Sequence, residues 1–187
     1  MNHHSRPLLI LDLDETLIRG SETLLDRDQD FRVGPFFIYN RPHLHEFLRV
    51  VNPHYELAIW SSATMDYVNG IAAELATHVD GWQFVWARDR CVRRFNPETF
   101  EIEFFKDLRK VKRRGFDLRR VLVVEDTPQK VSRHYGNAVY VRPYEGDDQA
   151  DDDELSKLVA YLRGLSGEPD FRRIEKRGWR MRGCDLP

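Results

Sequence analysis

Apolar residues in this chain of 187 residues are gathered into five short, nearly continuous runs. Runs of this kind are typical of strands that are covered on both faces, as they are in a parallel sheet. Each run has the length of one strand and is separated from the next by polar or helical sequence. The predicted strands cover residues 8–13, 55–60, 84–86, 121–124 and 138–141.

Between these runs, apolar residues at helical spacing predict amphipathic helices. Pro42 lies near the first turn of the first helix, and Gly115 and Gly136 follow two of the others, as is common at helix ends. Strands that alternate with helices predict an α/β fold: a doubly wound, Rossmann-like parallel sheet of five strands with helices on both faces. The predicted helices cover residues 41–51, 64–79, 106–114, 128–135 and 152–165.

Two stretches interrupt the alternation of strands and helices. Residues 19–40 follow the first strand and carry several aromatic residues, which predicts a small β insert. Residues 91–105 contain an Asn96-Pro97 turn between two β-prone arms, which predicts a hairpin just before Lys106. We therefore expect two small additions to the sheet and no large cap domain.

Length and composition indicate one soluble globular domain. The chain is 41% hydrophobic and 32% charged, a composition that excludes a disordered protein. No apolar run reaches the ~18–20 residues of a membrane span, and we expect no signal peptide. Cys91 and Cys184 are too few for a disulfide framework, so we expect a cytoplasmic protein. We also expect a monomer with one domain over residues 1–165 and a basic tail over residues 166–187.

The net charge of −2 conceals charged blocks. Residues 106–120 and 171–182 are basic, and residues 145–154 are acidic. One interpretation is that these blocks are solvated helix faces and a frayed terminus. The other is that they steer an anionic substrate or bind a phosphorylated or nucleic-acid partner. Composition does not decide between the two.

Polar side chains follow the predicted strands where each strand ends. In an open α/β sheet, ligands bind at the carboxyl ends of the strands, so these side chains are candidates for one site. Several carboxylates in one crevice repel one another unless a cation lies between them, and Mg²⁺ prefers such oxygen ligands. A calcium loop is excluded because Leu17 replaces its glycine. Helix capping would explain a lone aspartate, but not two acidic pairs. The candidates are Asp12, Asp14, Thr16, Ser61, Ser62, Lys106, Glu125 and Asp126.

Five stretches in order resemble one family. Asp12-Leu13-Asp14-Glu15-Thr16 resembles the nucleophile motif of the haloacid-dehalogenase phosphatase superfamily, and the full set resembles its small C-terminal-domain phosphatases, the NLI-interacting-factor-like subgroup. The resemblance spans residues 8–141. The stretches are DLDETLI (12–18), RPHLHEFL (41–48), ELAIWSSA (56–63), FKDLRKV (105–111) and DLRRVLVVEDTP (117–128).

The resemblance implies a Mg²⁺-dependent phosphomonoesterase. Asp12 would be the nucleophile that forms an aspartyl-phosphate, and Asp14 the general acid and base. Ser61 would hold a phosphate oxygen, and Lys106 would neutralise the phosphate and orient Asp12. The implied metal ligands are Asp12, the backbone carbonyl of Asp14, and Asp126, with Glu125 ranked behind them.

The sequence departs from the subgroup pattern at three places. Glu125-Asp126 replaces Asp-Asn or Asp-Asp, Ser61 stands where threonine is frequent, and the hairpin before Lys106 is longer than usual. Thr16, Ser62 and Arg94 are candidates on the substrate side, Arg94 only as a guess. The resemblance implies that the insert forms an apolar wall beside an open crevice, which favours phosphoserine or phosphothreonine in a protein as substrate. A nucleic-acid end or nucleotide, or a non-catalytic role as a phosphoprotein-binding scaffold, remain alternatives.

Overall fold

The computed structural model describes residues 6–146 and 152–182, and its secondary structure follows the predicted alternation. The strands are β1 (Leu8–Leu11), β2 (Ile18–Ser21), β3 (Phe31–Val33), β4 (Phe36–Asn40), β5 (Glu56–Trp60), β6 (Trp82–Trp86), β7 (Val92–Asn96), β8 (Glu101–Phe105), β9 (Val121–Glu125) and β10 (Ala138–Tyr140). The α-helices are α1 (Leu44–Val51), α2 (Met65–Leu75), α3 (Arg109–Arg113), α4 (Glu154–Leu165) and α5 (Trp179–Arg182).

Five parallel strands form the central sheet in the order β10-β9-β1-β5-β6. In the central strand β1, Leu9 and Leu11 enter one hydrophobic cluster, and Leu8 and Ile10 enter the other. This is the period of two expected for a strand that is buried on both faces. Helices α1, α2 and α4 pack on one face and α3 packs on the other, so the predicted doubly wound sheet is confirmed.

Helices α1 and α3 each begin three residues later than predicted, the largest such differences among the four helices. Helix α1 begins at Leu44 rather than residue 41, because His43 has a left-handed backbone (φ 66°) and Arg41 turns inward to donate to the Thr16 carbonyl. Helix α3 begins at Arg109 rather than residue 106. Lys106 therefore lies in the link between β8 and α3, where its side chain is free of helical geometry.

The predicted helix at residues 128–135 is wrong in type. The segment Pro128–Asn137 forms 3-10 turns, with non-helical backbone angles at Val131 and His134. Hydrogen bonds of 3-10 turns are less well aligned than those of an α-helix, and such turns are used in short pieces. The segment follows β9 and contacts β8, β9 and β10. Val131 enters the same hydrophobic cluster as Leu108 and Val111.

Both small β additions are present. Strands β2, β4 and β3 form an antiparallel sheet after β1, and β7 pairs with β8 as a hairpin before Lys106. In the described ranges, the connections between the strands of the central sheet contain no cap domain. No helix in those ranges is long and apolar enough to cross a membrane.

A basic tail was expected over residues 166–187, but in the described part of this segment two aromatic residues pack on the domain. Phe171 and Trp179 are buried in the same core cluster as α1 and α4. The Trp179 indole Nε1 donates to the carbonyl of Tyr140 at 2.8 Å, which anchors the segment on the edge strand β10. Cys91 is a buried free thiol. Cys184 and residues 147–151 of the acidic block lie outside the described residues.

Trp179→Ala should destabilise the whole domain by about 3–5 kcal/mol, because the Trp179 side chain is only 2% exposed and its removal leaves a cavity. The measurement is the free energy of unfolding in urea. Met181→Ala is the matched control, since Met181 is 77% exposed in the same segment. Equal and small losses in both variants would show that the segment is not part of the folded domain.

Candidate active site

A tight turn after β1 presents two aspartates. The backbone N–H of Asp12 donates to the carbonyl of Val124 on β9, which fixes the end of β1 against its neighbour. The carbonyl of Leu13 accepts from the N–H groups of Thr16, Leu17 and Ile18, and this closes the turn. Asp12 and Asp14 therefore project from a rigid turn at the carboxyl end of the sheet.

Asp12 is buried between two lysines. Its Oδ1 lies 2.9 Å from Lys106 Nζ and its Oδ2 lies 3.1 Å from Lys130 Nζ. Burial alone favours the neutral acid, but the two ammonium groups outweigh it and hold the pKa of Asp12 well below its ordinary value. Asp12 is therefore an ionised carboxylate with one cation on each oxygen.

Asp12, Glu125 and Asp126 form a cluster in which one oxygen from each lies within 4.8 Å of the others. Thr16 Oγ1 donates to Asp126 Oδ1 at 3.3 Å, and Thr127 Oγ1 donates to Asp126 Oδ2 at 2.7 Å. Hard oxygen ligands in this arrangement suit a divalent cation such as Mg²⁺. The carboxylate of Asp14 does not belong to this cluster. The backbone carbonyl of Asp14, which the resemblance implied as a metal ligand, stays a prediction.

Glu125 contacts both lysines of the site directly. Its fully buried carboxylate lies 2.5 Å from Lys106 Nζ and 3.3 Å from Lys130 Nζ. Burial and the adjacent charge of Asp12 raise the pKa of Glu125, so Asp12 is the first of the two to ionise. The contacts assign Glu125 the work of orienting both ammonium groups.

Lys130 is a site residue that the sequence did not single out. It lies on the 3-10 segment after β9, with Nζ 3.6 Å from Asp126 Oδ1 in addition to its contacts with Asp12 and Glu125. Its backbone carbonyl accepts from the N–H of Lys106 at 2.7 Å, which ties the two lysines together. The spacing of four residues from Asp126 to Lys130 was the only sequence signal.

Tyr67 on α2 was also missed, and it contacts Asp14 directly. Its hydroxyl donates to Asp14 Oδ1 at 2.5 Å. Burial, against the opposing hydrogen bond from Tyr67, raises the pKa of Asp14 to about 6. A Cβ at Gly20 would lie 2.0 Å from the Tyr67 hydroxyl, so the chain approaches here as closely as glycine alone permits. Tyr67 is thus a positioning residue for Asp14.

The second strand end contributes Ser61, which is buried. Its N–H donates to the carbonyl of Trp86 at 2.9 Å, and its Oγ accepts from the N–H of Ala63 at 3.0 Å. The carbonyl of the half-buried Ser62 accepts from Arg88 Nε at 3.1 Å. Arg88 is a further cation that the sequence did not indicate.

The candidates on the substrate side are placed differently from one another. Thr16 is fully buried and contacts Asp126, so it lies beneath the site. Arg94 is exposed on β7, where its guanidinium lies 5.2 Å from the centre of the Phe105 ring. It borders a small cavity that Lys106 and Lys130 also line, on the hairpin side of the two lysines.

Comparison with known proteins identifies the family. The model of the NLI interacting factor-like phosphatases matches residues 7–172. The chain belongs to this family. Its membership confirms the resemblance predicted from the five sequence stretches.

Relatives within and near the family cover most of this chain. It is 30% identical over 176 residues to human carboxy-terminal domain RNA polymerase II polypeptide A small phosphatase 1, covering 89% of this chain and 62% of that protein. It is 31% identical over 173 residues to mitochondrial import inner membrane translocase subunit TIM50 of Phytophthora infestans, covering 90% and 37%. It is 28% identical over 171 residues to Phosphatase Herzog of Drosophila melanogaster, covering 86% and 44%. The chain thus spans less than two thirds of these curated relatives.

A solved structure confirms the fold. The structure of Fcp1, an essential RNA polymerase II CTD phosphatase, superposes with a TM-score of 0.58 at 17% identity, covering 96% of this chain and 62% of that one. At this identity the match shows the architecture alone. It supports the α/β sheet flanked by helices that the sequence predicted.

Tyr67→Phe should lower turnover of a phosphomonoester by about tenfold while leaving the fold intact. The reason is that Asp14 loses the hydroxyl that contacts it, which would affect the proton transfer that the resemblance implies for Asp14 and not the packing of the ring. Steady-state kinetics with an aryl phosphate measures kcat and KM, and the melting temperature reports the fold. Tyr135→Phe, at an exposed tyrosine, is the control. An unchanged kcat in Tyr67→Phe would contradict the role of positioning residue.

Proposed function

We propose that this chain is a Mg²⁺-dependent phosphomonoesterase that acts on phosphoserine or phosphothreonine in proteins through an aspartyl-phosphate intermediate. The observation that carries the proposal is the pair Asp12 and Asp14. One carboxylate is held ionised between two lysines, and the other, two residues away, has a pKa raised to about 6. A carboxyl group that ionises readily, beside one that holds its proton to a higher pH, is what a nucleophile and a general acid require.

In the first step, a carboxylate oxygen of Asp12 attacks the phosphorus of the substrate. The bond from phosphorus to the serine or threonine oxygen breaks, and Asp14 gives its proton to that oxygen. The substrate leaves as an alcohol and Asp12 carries the phosphoryl group. Nucleophilic attack by a carboxylate divides one difficult substitution into two easier ones.

In the second step, Asp14, now ionised, removes a proton from water. The resulting hydroxide attacks phosphorus, the bond to Asp12 breaks, and inorganic phosphate leaves. Both carboxyl groups return to their starting states, so the cycle is balanced. The hydrogen bond from Tyr67 holds Asp14 in place for both proton transfers.

The negative charge of the substrate phosphate would be stabilised by Lys106, by the Ser61 hydroxyl and by the metal. Lys106 is buried with Nζ 2.9 Å from Asp12, so it neutralises negative charge next to the attacking oxygen. Ser61 offers its Oγ from the neighbouring strand end. When bound by Asp12, Asp126 and the Asp14 carbonyl, Mg²⁺ supplies further charge neutralisation, which is the main requirement of phosphoryl transfer.

Two features favour a protein as the substrate. The additions to the sheet within the described residues are small, so the crevice stays open to a large phosphomonoester. The hairpin before Lys106 carries Phe95, Phe100 and Ile102 as exposed apolar side chains, which suit contact with another chain. The names of several relatives, among them the human small phosphatase 1, describe phosphatases of the RNA polymerase II carboxy-terminal domain, a protein substrate.

Asp12→Asn should reduce turnover by roughly a thousandfold or more, because the amide has no charge with which to attack phosphorus. Hydrolysis of an aryl phosphate and of a phosphoserine peptide is measured with Mg²⁺ and with EDTA. Asp28→Asn, at an exposed aspartate of the loop between β2 and β3, is the matched control. Full activity of Asp12→Asn, or of the wild type in EDTA, would overturn the mechanism.

Lys130→Met should tighten the binding of a divalent cation by about tenfold, because the Lys130 ammonium contacts Asp12 and Asp126, both carboxylates that we assign to the metal. Calorimetric titration with Mg²⁺ or Mn²⁺ measures the dissociation constant. Lys157→Met is the control, since Lys157 pairs with Asp153 on α4, outside the site. Weaker metal binding by Lys130→Met would contradict the assignment.

A further inference from the structure

A basic cleft of about 370 Å³ lies between the end of β6 and helix α3. Its walls come from the turn after β6 and from one side of α3 with the residue that follows it. Three of its cations come from the strongly basic block at residues 106–120, and the fourth, Arg90, comes from the turn after β6. The lining residues are Trp86, Asp89, Arg90, Lys110, Arg113 and Arg114.

The cations of the cleft have few acidic partners. Among the described residues, no carboxylate forms an ion pair with Arg113 or Arg114. Arg90 Nε lies 3.5 Å from the exposed carboxylate of Asp89, and Lys110 Nζ donates to the backbone carbonyl of Arg90 at 2.6 Å. Four cationic side chains therefore face one carboxylate, which leaves a local excess of positive charge.

Other arginines of the same basic block are neutralised within the protein. Arg109 pairs with Asp107 at 2.5 Å, and Arg119 pairs with Asp117 at 2.6 Å. Neither lines the cleft. Arg109 and Arg119 thus form ion pairs, whereas Arg113 and Arg114 line the cleft and pair with no carboxylate of the described residues.

Trp86 gives the cleft an ordered floor. The guanidinium of Arg90 lies 5.7 Å from the centre of its ring, and that of Arg114 lies 5.8 Å from it and 5.5 Å from the ring of Phe84. Stacking on an aromatic face limits the freedom of a guanidinium while leaving its N–H edge able to bind two phosphate oxygens. Two of the four cations are therefore held in place before a ligand arrives.

Trp86 contacts both the cleft and Ser61 of the candidate active site. The carbonyl of Trp86 accepts the N–H of Ser61, which we assign to the phosphate, while its side chain forms the floor of the cleft. Lys110 lies on α3, directly after the link that carries Lys106. A substrate chain whose phosphate lies at Ser61 and Lys106 would thus pass close to the cleft.

We propose that this cleft is a second phosphate-binding site, which takes another phosphate of the same phosphoprotein substrate while the first lies at Asp12. Phosphate, with its two negative charges and several acceptor oxygens, matches convergent arginines better than a single carboxylate does. The cleft would make the protein prefer multiply phosphorylated segments. This inference rests on the proposed function.

The test compares peptides with one phosphoserine, with two phosphoserines at stepwise increasing separations, and with glutamate in place of the second phosphoserine. Wild type, Arg113→Gln and Lys110→Gln are measured, with Arg119→Gln as a matched control from the paired part of the block. For the best doubly phosphorylated peptide, we expect each cleft variant to raise KM by about five- to tenfold at unchanged kcat. KM for the singly phosphorylated peptide should stay the same, and Arg119→Gln should change neither.

If the wild type has the same KM for the singly phosphorylated peptide and for the doubly phosphorylated peptides at every separation, the second site is overturned. The phosphatase proposal would stay intact. No turnover of any peptide would instead overturn the proposed function. A cleft variant that loses binding of a single-stranded oligonucleotide, but still prefers the doubly phosphorylated peptide, would show a nucleic-acid surface and would also overturn the inference.

Discussion

The ion pairs of Asp12 with Lys106 and Lys130 are the interaction on which the site depends. Three carboxylates and two ammonium groups share a small buried space, and removal of either lysine would leave Asp12 and Glu125 to share one ammonium group. The same contacts keep Asp12 ionised and aim its two oxygens. The proposed nucleophile Asp12, the two lysines that pair with it and the proposed metal ligands are therefore electrostatically coupled.

The fold assembles this unit from parts that are far apart in the chain. Asp12 follows the central strand β1, Glu125 ends the neighbouring strand β9, and Lys106 enters from the link after the β7–β8 hairpin. Lys130 reaches back from the 3-10 turns that follow β9. Because parallel strands end at one edge, the two acidic pairs lie at the same edge of the sheet.

That rule also explains how much could be predicted from sequence. The five strands, the two small inserts, and the placement of Asp12, Ser61, Glu125 and Asp126 at strand ends followed from apolar runs and from the polar residues that close them. Lys130 could not be placed in the same way, because its position depends on 3-10 turns that periodicity presents as a helix. The contact of Tyr67 with Asp14 depends on how α2 packs against the turn after β1, which the sequence pattern does not specify. The basic C-terminal segment is anchored by the buried indole of Trp179, and composition does not distinguish a buried tryptophan from an exposed one.

The central claim is that Asp12 becomes covalently phosphorylated, and trapping that intermediate tests it most directly. The protein is mixed with a phosphoserine peptide and Mg²⁺, quenched in acid within the first turnover, reduced with borohydride and digested for mass spectrometry. The peptide containing Asp12 and Asp14 should be reduced at Asp12 alone, in proportion to the phosphoryl group bound. Reduction at another residue, or phosphate release in a first turnover with no modified carboxylate at any quench time, would contradict it.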